Sequence, residues 1–153
     1  MKVNIVNNSE SKNVQNTFGA RFRAGNINKF LKFCDVQENN FQNKNAIPKL
    51  YTMLELIDKQ PAKTAKLLKS KDAYGPYFSV KLDSEELGKS RIAFENEKQY
   101  SYIYALYSAC INILKKSKGN ALDNLSAEKL LRKMSTKNKN VTRENVMKFT
   151  YNA

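Results

Sequence analysis

The chain has no histidine and no tryptophan, and only two cysteines, three prolines and five glycines. Without imidazole there is no Ser-His-Asp triad, no His-dependent ribonuclease chemistry, no HExxH metalloprotease and almost no zinc site, because each needs that ring as base or ligand. Cys34 and Cys110 lie far apart with no CxxC spacing, so neither a disulfide framework nor a thiolate metal site is indicated. Both stand in apolar settings, FLKFCDV and LYSACINIL, where a free thiol acts as a small buried hydrophobe. The longest apolar stretch, Tyr100 to Leu114, is interrupted by Ser101, Ser108 and Asn112, well short of the run of about 20 residues that spans a bilayer. The opening MKVNIVNNSESKN lacks the basic-then-apolar order of a signal peptide, so a soluble cytoplasmic protein with no membrane partner is expected. Acid is also scarce: 14 Asp plus Glu face 27 Lys plus Arg, a formal charge of +13.

What is present is enough apolar matter for a core. With 153 residues and 41% hydrophobic content the chain has the size of one domain, 1–153, with polar ends at 1–12 and 137–153. KVNIVN alternates as a short strand through Val3 and Ile5, and TFGARFRAGN as a second, with Phe18, Ala20 and Phe22 on one face and Arg21 and Arg23 on the other. A helix over 27–36 gathers Ile27, Phe30, Leu31 and Cys34, and QENNFQNKN at 37–45 reads as a loop. Pro48 opens a helix over 48–59 with Leu50, Met53, Leu54 and Ile57 inward. Pro61 opens another to about Asp72, with Ala62, Ala65 and Leu68 inward and Lys63, Lys66 and Lys69 outward, stopped at Tyr74-Gly75-Pro76.

YFSVKLD and RIAFE alternate around the polar loop SEELGK, the pattern of an antiparallel hairpin. From Asn96 to Lys118 the polar positions Ser101, Ser108, Asn112 and Lys115 form a narrow stripe at helical spacing on an apolar cylinder, which predicts a long buried helix. Ser126 caps a further helix with Ala127, Leu130, Leu131 and Met134 inward, and Thr142 a last short one carrying Val146 and Phe149. The expected architecture is α+β: a mainly helical single domain whose small antiparallel sheet packs on the long helix.

The charge is concentrated. Residues 99–153 hold ten basic and three acidic residues. Lys115, Lys116 and Lys118 end the long helix, Lys129, Arg132, Lys133 and Lys137 line the outer face of the next, and Lys139, Arg143 and Lys148 follow. Lysines at such density attract polyanions through counterion release, of which nucleic acid is the commonest. Lys63, Lys66, Arg21 and Arg23 add to this, and the alternation of Phe18 and Phe22 with arginines suits stacking on bases. The bland alternative is that Phe18 and Phe22 are core and the lysines merely solvate helix faces. No P-loop, GxGxxG, RNP1, GXXG clamp or zinc-finger spacing accompanies these features.

Asp83, Glu85, Glu86, Glu95 and Glu97 make the one acidic region, around the hairpin. Paired carboxylates can hold Mg²⁺, but an acidic rim serving solubility or docking to a basic partner is the simpler expectation, and no cofactor or metal is called for. The order of a strand, two helices, a hairpin and a basic C-terminal part resembles that of RelE/HigB-like RNase toxins. That resemblance implies a His-independent RNase working through Arg91, Tyr102, Lys115 and Lys116. The chain departs from the family where 96–118 reads as helix in place of strands.

The residues themselves point first to a non-enzymatic binder of DNA or RNA, or of a nucleoprotein complex, contacting phosphates through the C-terminal lysines. The heavy use of Asn and Lys is associated with AT-rich coding, as in phages, plasmids and low-GC bacteria. An inhibitor or adaptor, of anti-defence type, that binds a host protein or nucleoprotein complex is the second expectation. The tyrosines at 100, 102, 104 and 107 offer a surface for a homodimer.

Overall fold

The computed structural model describes residues 20–38, 46–92, 98–117 and 122–152. In chain order the elements are β1 (Phe22–Arg23), α1 (Ala24–Glu38), α2 (Ala46–Asp58), β2 (Ala65–Asp72), β3 (Gly75–Leu82), β4 (Glu85–Arg91), α3 (Lys98–Ser117), α4 (Asn124–Thr136), α5 (Arg143–Met147) and β5 (Thr150–Tyr151). β2, β3 and β4 form an antiparallel meander in that order, and β1 pairs in parallel with β5 through Phe22↔Thr150 and Arg23↔Tyr151. The expected α+β class is present, as is the sheet resting on the long helix.

α3 lies between two layers. At 3.6 residues per turn, residues 101, 105, 109, 112 and 116 share one side and 103, 107, 110 and 114 the other. The first set meets the sheet. A Cβ placed on Gly88 of β4 would collide with the Ala105 carbonyl and the Ala109 amide, and would come within 2.9 Å of Ala109 Cβ, so only glycine lets strand and helix touch. The Cys110 thiol, on the opposite side, reaches the Met53 carbonyl of α2 at 3.5 Å, and Tyr107 shares a cleft with Lys49, Met53, Leu131 and Arg132. A helix covered on two sides must be apolar most of the way round, which is the reason for its composition.

The narrow polar stripe on α3 finds its purpose here. Ser101 Oγ donates to the Arg91 carbonyl at 2.9 Å and Asn112 Nδ2 to the Leu87 carbonyl at 2.6 Å, so the stripe satisfies carbonyls of β4, an edge strand of the sheet. β2 is the other edge. Phe78, Val80 and Leu82 of β3 point into the core with Ala65 of β2, and the Phe78 ring stacks on Tyr102 with centroids 4.0 Å apart. Val146 and Phe149 are buried as well, so the C-terminal stretch is folded against α2, where Phe149 meets Tyr51 edge-on. Neither cysteine is in a disulfide and both are buried, and desolvation pushes the Cys110 thiol far above the ordinary range.

Several elements differ from the sequence expectation. The helix expected over 61–72 is the strand β2. Its lysine spacing fits a helix face, but the Tyr74-Gly75 stop is a tight turn that folds the segment back on β3, with Asp72 opposite Gly75, and the eight paired residues override helical spacing. Gly75 takes φ +116, a conformation open only to glycine without strain. The sheet therefore has three strands instead of a two-stranded hairpin. Its last described strand is Glu85–Arg91, which takes in most of the run expected as a loop because Gly88, expected in the turn, is the residue that admits α3; residues 93–95 of the RIAFE run lie outside the described residues. α1 starts at Ala24 and α4 is capped by Asp123, whose carboxylate accepts from Ser126 N at 2.8 Å, in place of Ser126 itself. Thr142 caps α5 as expected. The strand expected at 2–7 and most of the loop at 37–45 lie outside the described residues, as do Phe18 and Gly19.

Candidate nucleic-acid interface

The cations expected to act together sit on different sides of the molecule. α4 packs Ala127 and Leu131 inward, which turns Lys129, Arg132 and Lys133 to solvent, with Lys137 exposed at the C-cap. None of these four forms a salt bridge among the described residues. Lys133 and Lys137 also lie at the C-terminal end of the helix, where the macrodipole favours cations.

Lys115 Nζ donates to Asn124 Oδ1 at 2.9 Å, which bridges the end of α3 to the start of α4, and Lys116 pairs with Glu85 at 2.5 Å. Lys118 lies outside the described residues. Lys139 is exposed, Arg143 pairs with Asp35, and Lys148 sits 5.1 Å from the Tyr51 ring centroid.

The remaining expected contacts lie toward the sheet. Lys63 and Lys66 are exposed before and within β2. Arg23 and Lys66 line one groove of about 440 Å³ with Asn26, Leu68 and Tyr151. Arg21 is held by Asp58, Nε to Oδ1 at 3.2 Å. The stacking platform expected around Phe22 is corrected by the structure: Phe22 is 0% exposed and meets Phe30 edge-on, so this ring belongs to the core.

The acidic group is distributed among separate tasks. Asp83 Oδ1 accepts from the amides of Lys63 and Thr64, each at 3.1 Å, and from Thr64 Oγ1, which ties the link before β2 to the β3–β4 turn. The bond from the Thr64 amide leads the causes that hold its carboxyl below the ordinary value. Asp83 occupies φ 54, a left-handed position that these bonds secure. Glu85 serves Lys116, Glu86 lies opposite Lys81 in the strand register, and Glu95 and Glu97 are outside the described residues. Among the described residues no cluster of three acidic or cysteine side chains is placed to hold a metal ion.

The four residues indicated by the toxin resemblance do not converge. Arg91 lies beside Ser101 near the start of α3, whereas Lys115 and Lys116 lie about 20 Å along the helix from it. Arg91 is engaged by Asp72, Nη1 to Oδ1 at 2.7 Å and Nη2 to Oδ2 at 2.6 Å, and Tyr102 is half-buried.

Sequence reasoning missed the outer face of the sheet. With β2 in register, cross-strand rows there run Ser70–Tyr77–Arg91, Leu68–Ser79–Lys89 and Lys66–Lys81–Glu86. At the turn, Lys89 Nζ lies 4.1 Å from the Tyr77 centroid, and the Arg91 guanidinium is 5.3 Å from Tyr77 and 5.6 Å from Tyr74. The Arg91 guanidinium, followed by the Tyr74 amide and Lys89, holds the Asp72 carboxyl far below the usual carboxylate range. The signal lay in the alternation of Tyr77, Ser79 and Lys81, which becomes legible once 65–72 is read as their partner strand.

Comparison of the chain with protein-family models, curated proteins and solved structures finds no match.

Proposed function

We propose that this chain is a small, non-enzymatic nucleic-acid-binding protein that holds phosphates on the outer face of α4, working inside the cell, as befits a phage- or plasmid-encoded factor. The observation that carries the reading is Lys129, Arg132, Lys133 and Lys137 exposed together with no salt bridge among the described residues, on a chain of net charge +13. A few cations elsewhere are held by carboxylates, as in Arg21–Asp58, Arg91–Asp72 and Lys116–Glu85, whereas on α4 four neighbouring cations share one exposed helix face. A helix face left this basic supports contact with a polyanion, with affinity from counterion release and little reading of sequence.

The test is fluorescence anisotropy with short single-stranded DNA, RNA and duplex DNA over a range of salt. The triple reversal Lys129→Glu, Arg132→Glu and Lys133→Glu keeps the buried face of α4. It is expected to weaken binding at least about tenfold and to lower the slope of log K against log salt by about 2 to 3, nearly one for each phosphate that is no longer neutralised. An unchanged affinity sinks the assignment to α4. A protein that binds no polymer even at low salt uses its charge on a protein partner.

A further inference from the structure

We propose that the outer face of the sheet is a second contact surface, built to stack the bases of a single-stranded nucleic acid. The proposal rests on the nucleic-acid reading above but uses none of the α4 cations.

Tyr74, at the β2–β3 turn, is 85% exposed. Tyr77 stands behind it on β3, and Arg91 projects from β4 within reach of both rings. Arg91 is not a loose cation: Asp72 takes its two terminal nitrogens and the Gly75 carbonyl accepts a further bond from Nη1 at 3.0 Å. The guanidinium plane is thereby fixed beside the two rings, and a fixed plane loses little entropy when a base stacks on it.

Three of the five large hydrophobic residues exposed among the described residues, Leu68, Tyr74 and Tyr151, border this surface. Lys66, Lys81 and Lys89 share its rows around Ser79, which is itself buried at the centre, so the exposed aromatic and apolar area lies at the two ends with positive charge beside it. The path from Tyr74 along β2 to the groove of Arg23, Lys66 and Tyr151 is about 20 Å long at the rise of a strand.

Planar rings with lysines beside them match a strand whose bases are unstacked and whose phosphates run alongside. A duplex offers phosphates but keeps its base faces hidden, and an acidic peptide offers charge but little that is flat. The shared chemistry is that of single-stranded DNA and RNA, and the experiment separates the two.

Affinity is measured for short oligo-dT, for oligo-U, and for an abasic oligonucleotide of the same length and charge. The wild-type protein is expected to bind oligo-dT or oligo-U at least about tenfold more tightly than the abasic strand. Tyr74→Ala alters a ring that supports no core packing. It should remove most of that advantage while leaving the abasic affinity and the salt slope unchanged. Tyr77→Phe keeps a ring and should retain the advantage, whereas Tyr77→Leu should lose it. Oligo-dU measured beside oligo-U, which differ only in the 2′-hydroxyl, names the sugar that the face accepts.

Equal affinity for based and abasic strands overturns the stacking surface while leaving the α4 reading intact, as does a Tyr74→Ala protein that binds like wild type. A protein that binds duplex DNA but neither single strand overturns the stacking surface alone, and failure to bind duplex or single strands at low salt overturns both readings.

Discussion

Asp72 accepts from the Tyr74 amide at 2.9 Å, from Lys89 Nζ at 3.3 Å and from both terminal nitrogens of Arg91. One carboxylate thus shapes the turn, orders the cation beside the tyrosines and joins β2 to β4 across the strand between them. Because its folded pKa is depressed, its stabilisation is complete above the ordinary value of 3.8 and drains away as the pH falls below it. Asp72→Asn should therefore be less stable than wild type near neutral pH, with the gap closing in acid. A series of urea midpoints against pH checks this, and a gap that stays constant into acid would remove the carboxylate from the account. Gly88 is legible only in hindsight. In a sequence a glycine within a mostly polar run such as SEELGKS signals a turn, and nothing local announces that a helix remote in sequence needs its missing Cβ.

Among the elements, periodicity succeeded where one buried face dominates and failed where tertiary pairing decides. α2, with Leu50, Met53, Leu54 and Ile57 buried, and α3, with its polar stripe, were evident from spacing alone. β2 was not. Its exposed residues run Lys66, Leu68, Lys69, Ser70, Lys71 and Asp72, and an edge strand so little buried has no inward pattern to read. The misreading also hid the candidate surface, because the outer rows of the sheet exist only once β2 is a strand.

α5 shows the opposite case, where local chemistry is sufficient. Thr142 Oγ1 accepts from Asn145 N and Asn145 Oδ1 from Thr142 N, a reciprocal cap on a helix of five residues that holds Val146 in the core. Thr142→Ala should cost about 1 kcal/mol in urea unfolding with little change in the slope. A loss near zero would mean that the burial of Val146 and Phe149 alone holds the segment.

At the scale of the whole molecule, α3 separates two unlike surfaces. The helical layer carries α4 with its row of cations, while the sheet carries tyrosines, lysines and an anchored arginine. The class of fold and the charge of +13 were plain in the sequence, but the division of that charge between two sides was not, since it depends on which layer each segment joins. The same layering encloses the thiols: Cys34 is 1% exposed and Cys110 is 0% exposed against α2. A thiol reagent in solution can reach Cys110 only after α3 has parted from α2. The native protein should resist labelling, and the rate at Cys110 should rise with urea as opening becomes easier. Rapid modification in the absence of denaturant would show that this interface breathes. Two residues with no part in binding are thus a built-in clock for the integrity of the fold, read without adding any probe to its surface.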